Sequence, residues 1–124
     1  MLSYRRVWLA GGWLSVCLVV CLSLIPLPAP PVTFEYADKL EHGFAYAFLS
    51  LWFCQLYFSA LARMVAIAAL IGLGIGLEFL QGWTGYRIFD VWDMVANSIG
   101  VLIGYILVNT PLGRLFVSIE TALR

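Results

Sequence analysis

Residues 64–83 read MVAIAALIGLGIGLEFLQGW, twenty residues that carry one charge, Glu78. An α-helix needs roughly 20 apolar residues to cross the ~30 Å hydrocarbon layer of a bilayer. In that layer the backbone must satisfy its own hydrogen bonds, so an apolar run of this length reads as a membrane helix. Working outward, three more stretches have the same character, at about 7–25, 40–61 and 91–110. The chain is therefore expected to be an all-α membrane protein with four transmembrane helices. Between them lie a proline-rich segment over 26–38, a tight turn around Ala62 and Arg63, and a polar loop over 84–90. The tight turn predicts that helices two and three form an antiparallel hairpin. Beyond residue 110, Leu112, Leu115, Phe116, Ile119 and Leu123 fall at spacings that place them on one helical face. That predicts a short C-terminal amphipathic helix lying along the inner membrane surface.

Composition agrees with a lipid solvent. The 124 residues are 63% hydrophobic and 11% charged, with a mean hydropathy of +0.95. This is far from the soluble norm and is read as a single membrane domain over 1–124. Net charge is zero and no long basic run occurs, which argues against a nucleic-acid partner. Cys17, Cys21 and Cys54 are odd in number and sit inside apolar runs, so neither a disulfide framework nor a zinc site is suggested. Arg5 and Arg6 precede the first apolar run as in a signal peptide, but prolines follow where a small-residue cleavage site would be needed. The first helix is read as an uncleaved anchor.

Cytoplasmic loops hold the excess of Lys and Arg. With the N-terminus inside, Arg5, Arg6, Arg63, Arg114 and Arg124 fall inside, and Lys39 and Arg87 outside. Both termini are thus expected in the cytoplasm of a bacterial inner membrane. The same topology gathers Glu35, Asp38, Lys39, Glu41, His42, Glu78, Arg87, Asp90 and Asp93 at the outer side, six of them carboxylates. A charge in hydrocarbon costs on the order of 3 kcal/mol on insertion scales and marks an interior or wet position with a partner. Glu78 and Asp93 fall inside their spans, so they are the charges that most need one.

Helical spacing brings these residues to common faces. Lys39, His42 and Tyr46 share a face of helix two; Gly74, Glu78 and Gln81 share one on helix three; Asp93, Asn97, Gly100 and Gly104 share one on helix four. Gly100 and Gly104 form a small-xxx-small pair that lets another helix approach closely, and Gly72, Gly74 and Gly76 are the expected partners. His42 beside carboxylates suits general acid–base work, although a single interfacial histidine also serves as a plain hydrogen-bonding group. Glu78, Asp93 and Arg87 could equally be an ion-pair network fastening helices three and four. No metal-ligand spacing is diagnostic, and no cofactor motif is present. Trp8, Trp83, Tyr86 and Trp92 lie at span ends, as in an aromatic belt, and Glu35, Glu41 and Glu120 read as solvated interface charges.

Taken together, Asp38-Lys39-x-x-His42-x-x-x-Tyr46, Glu78-x-x-Gln81 and Arg87-x-x-Asp90-x-x-Asp93-x-x-x-Asn97-x-x-Gly100 resemble the VanZ-like family of small bacterial membrane proteins, over residues 38–104. The resemblance implies a multi-span protein whose best-known relative gives low-level resistance to the glycopeptide teicoplanin. It also implies that Lys39, His42, Glu78, Gln81, Arg87, Asp90, Asp93 and Asn97 are shared polar positions.

Three functions compete. The first is a site acting on a lipid-linked or cell-wall precursor at the outer leaflet, with His42, Glu78, Asp90 and Asp93 as candidate catalytic groups and Lys39, Gln81, Arg87 and Asn97 as candidate ligand-binding groups. The second is a non-enzymatic scaffold or assembly factor that holds a lipid or partner helix. The third, a small transporter, is disfavoured because the inner half offers little polarity besides Ser50, Gln55 and Ser59.

Overall fold

The computed structural model describes residues 2–25, 37–85 and 89–124, which are helical almost throughout and include no strand. Five α-helices follow one another: α1 (Arg5–Leu24), α2 (Ala37–Leu56), α3 (Ala60–Thr84), α4 (Val91–Leu107) and, after a 3-10 turn over Pro111–Arg114, α5 (Leu115–Ala122). The proline-rich loop with Glu35, and the loop residues Tyr86 and Arg87, lie outside the described residues, as does the side chain of Asp38.

Helix ends fall where polar side chains can close them. The turn expected at Ala62 and Arg63 lies earlier, at Tyr57–Ser59, because Ser59 caps α3 by accepting from the Ala62 amide at 3.1 Å. Arg63 is inside the first turn of α3 instead. Its Nε donates to the Cys54 and Tyr57 carbonyls at 3.0 and 2.7 Å, supplying donors to carbonyls that the end of α2 leaves unpaired. At the other end of α3, Gly85 adopts φ +82°, the left-handed conformation that ends a helix and that glycine takes without steric cost. Asp90 then caps α4, accepting from the Trp92 amide at 2.9 Å.

Two helices, α1 and α3, are long and apolar enough to cross a membrane. The third candidate pairs α4 with the segment Pro111–Ala122, bent by 75° between them, a broken span or a re-entrant segment. α4 has 17 residues, and α2 carries Asp38, Lys39 and Glu41 in its first turns, so neither qualifies alone. Large apolar side chains cover the outside, among them Val7 at 66%, Leu14 at 70% and Phe44 at 77% exposure. That surface suits lipid and not water.

The most extensive helix contact joins α2 to α4. A side chain at Gly100 would collide with the Gly43 carbonyl, and a Cβ at Gly104 would stand 2.5 Å from the Ala47 oxygen and 2.7 Å from Ser50 Cβ. The glycine pair therefore seats α4 against α2, not against the glycines of α3. Gly72 and Gly76 face open space, and of the three only Gly74 meets α4, at Asn97. Gly72 and Gly76, four residues apart, share one side of α3 and Gly74 points to another, so the three could not all meet one neighbour. Ser50 donates to the Val101 carbonyl at 2.7 Å and fixes the α2–α4 register within a core of Tyr46, Leu49, Cys54, Ile67, Leu70 and Val101.

The tail forms the expected short C-terminal helix, and one of its charges corrects a second expectation. Of its apolar face only Phe116 is buried, while Leu112, Leu115, Ile119 and Leu123 stay exposed. Glu120, expected to be solvated, is 2% exposed. It accepts from the Ser3 and Tyr4 amides at 2.6 and 2.9 Å and from Trp8 Nε1 at 2.8 Å. Trp8, expected in the aromatic belt, is half-buried and stacks on Phe116 at 4.1 Å. The first amides of a helix lack intrahelical partners and carry the positive end of its dipole, and α1 has no side-chain cap of its own. Glu120 supplies that acceptor from the far end of the chain. With Arg124 also donating to Ser3 Oγ, both termini meet at one end of the bundle. Glu120→Ala should therefore lower thermal stability and speed hydrogen exchange at residues 3–8 selectively; unchanged exchange there would show that the carboxylate is not the cap.

Candidate functional site

At the end of the bundle opposite the termini, three helices bring polar residues together. Glu78 on α3 is 1% exposed, and its Oε1 accepts from the Asp90 amide at 2.7 Å. In the first turn of α4, Asp93 is 8% exposed. Lys39, from the first turn of α2, reaches across with Nζ at 2.9 Å from Asp90 Oδ2 and 3.3 Å from Asp93 Oδ1. The Lys39 ammonium that donates to Asp90, helped by the Trp92 amide, holds the Asp90 carboxyl below the usual carboxylate range against a smaller opposing effect of desolvation. These contacts tie the start of α4 to both α2 and α3.

The helical stripes hold in three dimensions. Gly74, Glu78 and Gln81 are all buried on α3, as are Asp93, Asn97, Gly100 and Gly104 on α4. A Cβ added at Gly74 would lie 3.1 Å from Asn97 and 3.3 Å from the Tyr46 ring, so the deeper members of all three stripes converge there. Among the described residues, two buried oxygens at this end have no hydrogen-bond partner, Glu78 Oε2 and Asn97 Oδ1. Buried polar atoms are nearly always paired, so each such orphan calls for a donor.

A family profile described as VanZ/LLP1 matches residues 12–115, which takes in all of the site and most of the chain. The chain belongs to the VanZ/LLP1 family. A similar protein is the uncharacterized protein C11E3.10 of Schizosaccharomyces pombe (strain 972 / ATCC 24843), 34% identical over 95 residues. That alignment covers 74% of this chain and 57% of the yeast protein, so the chain spans little more than half the length of this relative. No solved structure matches.

The remaining residues of the VanZ-like pattern divide by position. His42 is half-buried on α2 and lines a cavity of about 240 Å³ with Ser23, Glu41, Tyr46 and Gln81. It lies within electrostatic reach of both Glu78 and Asp90. Gln81 points towards α1 and donates from Nε2 to the Ser23 carbonyl at 2.8 Å, so its amide nitrogen already braces the end of α1. Arg87 falls outside the described residues. Among the described residues, no group of three or more His, Cys, Asp or Glu side chains is placed to hold a metal ion. The open acceptor on Asn97 was not visible in the sequence. Only the position of Asn97 on the stripe was, because its amide could have paired within its own helix.

Proposed function

We propose that this VanZ/LLP1 protein crosses the bacterial inner membrane four times with both termini cytoplasmic, and that its outward-facing polar end binds the polar head of a cell-envelope or lipid-linked ligand. The meeting of both termini at one end supports an even number of crossings, and the five arginines towards that end support its cytoplasmic placement. The observation that carries the site is the pair of orphan acceptors, Glu78 Oε2 and Asn97 Oδ1, on the same helical stripes as Gln81 and near Tyr46, which line the His42 cavity. A hydroxyl- or amide-bearing head group brings the donors these oxygens lack. His42, within electrostatic reach of Glu78, is the group suited to take up or return a proton from such a ligand.

A scaffold reading has its own support. Lys39, Asp90 and Asp93 largely satisfy one another, and Glu78 holds the Asp90 amide, as a brace between helices would require. The two readings agree on these residues as a brace and part at His42 and Asn97. The relative in a yeast also means that family membership does not by itself single out a bacterial wall precursor or teicoplanin resistance.

Purification with native lipids, followed by mass spectrometry of the retained molecules, tests the proposal. The wild-type protein should retain a defined species enriched over the bulk lipids, and His42→Ala should lose it while keeping its thermal stability. Retention of bulk lipid alone, unchanged by His42→Ala, would leave only the brace.

A further inference from the structure

At the opposite end of the bundle a second cavity, of about 510 Å³, opens between the α2–α3 turn and the 3-10 turn that follows α4. Arg63 and Arg114 line it, with Gln55, Asn109 and Thr110 between them and Phe58 at its wall. Among the described residues, no carboxylate side chain lines it. Glu120, an acid near this end, is engaged by Ser3, Tyr4 and Trp8.

Arg63 is not simply a topological charge trailing into solvent, while Arg114 lines the cleft from its exposed side. Arg63 is oriented through its Nε by the Cys54 and Tyr57 carbonyls, and its two terminal amino groups make no hydrogen bond among the described residues. A guanidinium fixed in this way presents a fork of donors, the geometry that matches phosphate oxygens. Gln55 is fixed as well, its Oε1 accepting from the Phe116 amide at 3.1 Å. Asn109 and Thr110 add short polar side chains at the wall. The surroundings are apolar: Phe58 and Val117 line the same cavity, and exposed Leu112 and Leu115 lie on the same segment.

We propose that this cleft binds the phosphate of an anionic membrane phospholipid, with Arg63 and Arg114 as the phosphate-binding residues. The site is separate from the His42 end and does not rest on the function proposed for it. Two guanidiniums lining one cleft, with no carboxylate among its described lining residues and apolar side chains beside them, fit a phosphate whose acyl chains remain in the bilayer.

Titration of the full-length protein in neutral detergent with short-chain phosphatidylglycerol, read by native mass spectrometry, tests the proposal. Binding should be saturable, and short-chain phosphatidylcholine should bind far more weakly. Arg114→Gln should weaken phosphatidylglycerol binding about tenfold, the scale of one charge-assisted hydrogen bond. Arg114 is exposed, so this variant should fold normally even if Arg63→Gln does not. Arg6→Gln, an exposed arginine that does not line the cleft, should bind as wild type. Equal binding of both lipids, or no change in Arg114→Gln, would overturn the proposal. Full displacement by millimolar inorganic phosphate would overturn the lipid assignment in favour of a soluble anion.

Discussion

Gly100→Ala should sharply reduce the amount of folded protein, and Gly104→Ala should do the same. A single methyl group at Gly100 meets the Gly43 carbonyl, and at Gly104 it meets the Ala47 oxygen, Ser50 Cβ and the Leu51 amide nitrogen. These neighbours are mostly backbone of the facing helix and cannot rotate away as a flexible side chain would. Overpacking in a tight core typically costs about 1–3 kcal/mol, and the near absence of a yielding atom places these variants at about 3 kcal/mol. The only relief is separation of α2 from α4, which would also pull Ser50 from the Val101 carbonyl and Lys39 from Asp90 and Asp93. Gly72→Ala and Gly76→Ala are the controls, because nothing lies within 4 Å of a Cβ at either position. They should be neutral or slightly stabilising, since alanine is the better helix former by up to about 1 kcal/mol. Thermal unfolding in detergent of all four variants checks the contrast.

Glu78→Ala and Glu78→Gln should behave differently from each other. Alanine removes the acceptor for the Asp90 amide and leaves a void at a position 1% exposed to solvent. Leaving the Asp90 amide without its acceptor costs about 1–3 kcal/mol, and a void adds to it, so a loss of about 3 kcal/mol is expected. Glutamine keeps a carbonyl oxygen where the Asp90 amide needs one, and its stability should stay within about 1 kcal/mol of wild type. What it changes is the second oxygen, which becomes an NH2 donor that can no longer accept from a ligand. Glu78→Gln should therefore fold and fail to retain the ligand, whereas a purely structural carboxylate would leave retention intact. Melting curves and retained-ligand mass spectrometry on the same preparations separate the two outcomes.

The stripes were legible because a helix has a fixed period. Once 64–83 is a helix, Gly74, Glu78 and Gln81 must share a face, and the same argument joins Asp93, Asn97, Gly100 and Gly104. The cost of a charge in hydrocarbon then required Glu78 to find a partner, and the structure supplies the Asp90 amide. Spacing did not tell which helix each face would meet. Gly100 and Gly104 were expected against the α3 glycines and lie against Gly43 and Ala47. Alanine and glycine occur on both helices, so small residues alone do not choose the partner. The role of Glu120 was hidden for a different reason. Its donors, Ser3, Tyr4 and Trp8, are more than 110 residues away in the chain, and a lone carboxylate on a short amphipathic helix is otherwise an ordinary surface charge. Likewise, Arg63 looked like a turn residue because it interrupts an apolar run, while the weaker signal of Ser59 marked the true helix start.

The central claim is that the polar end of the bundle is occupied by a particular ligand and is more than a brace between helices. A photo-cross-linking amino acid at Ala45, which lines the His42 cavity, tests it directly in intact membranes. The same label at Phe79, 59% exposed on the outside of α3, reports ordinary lipid contact. The account predicts that Ala45 captures one defined adduct that Phe79 does not, and that the adduct disappears in Glu78→Gln. An identical set of bulk-lipid adducts at both positions, unaffected by Glu78→Gln, would contradict it.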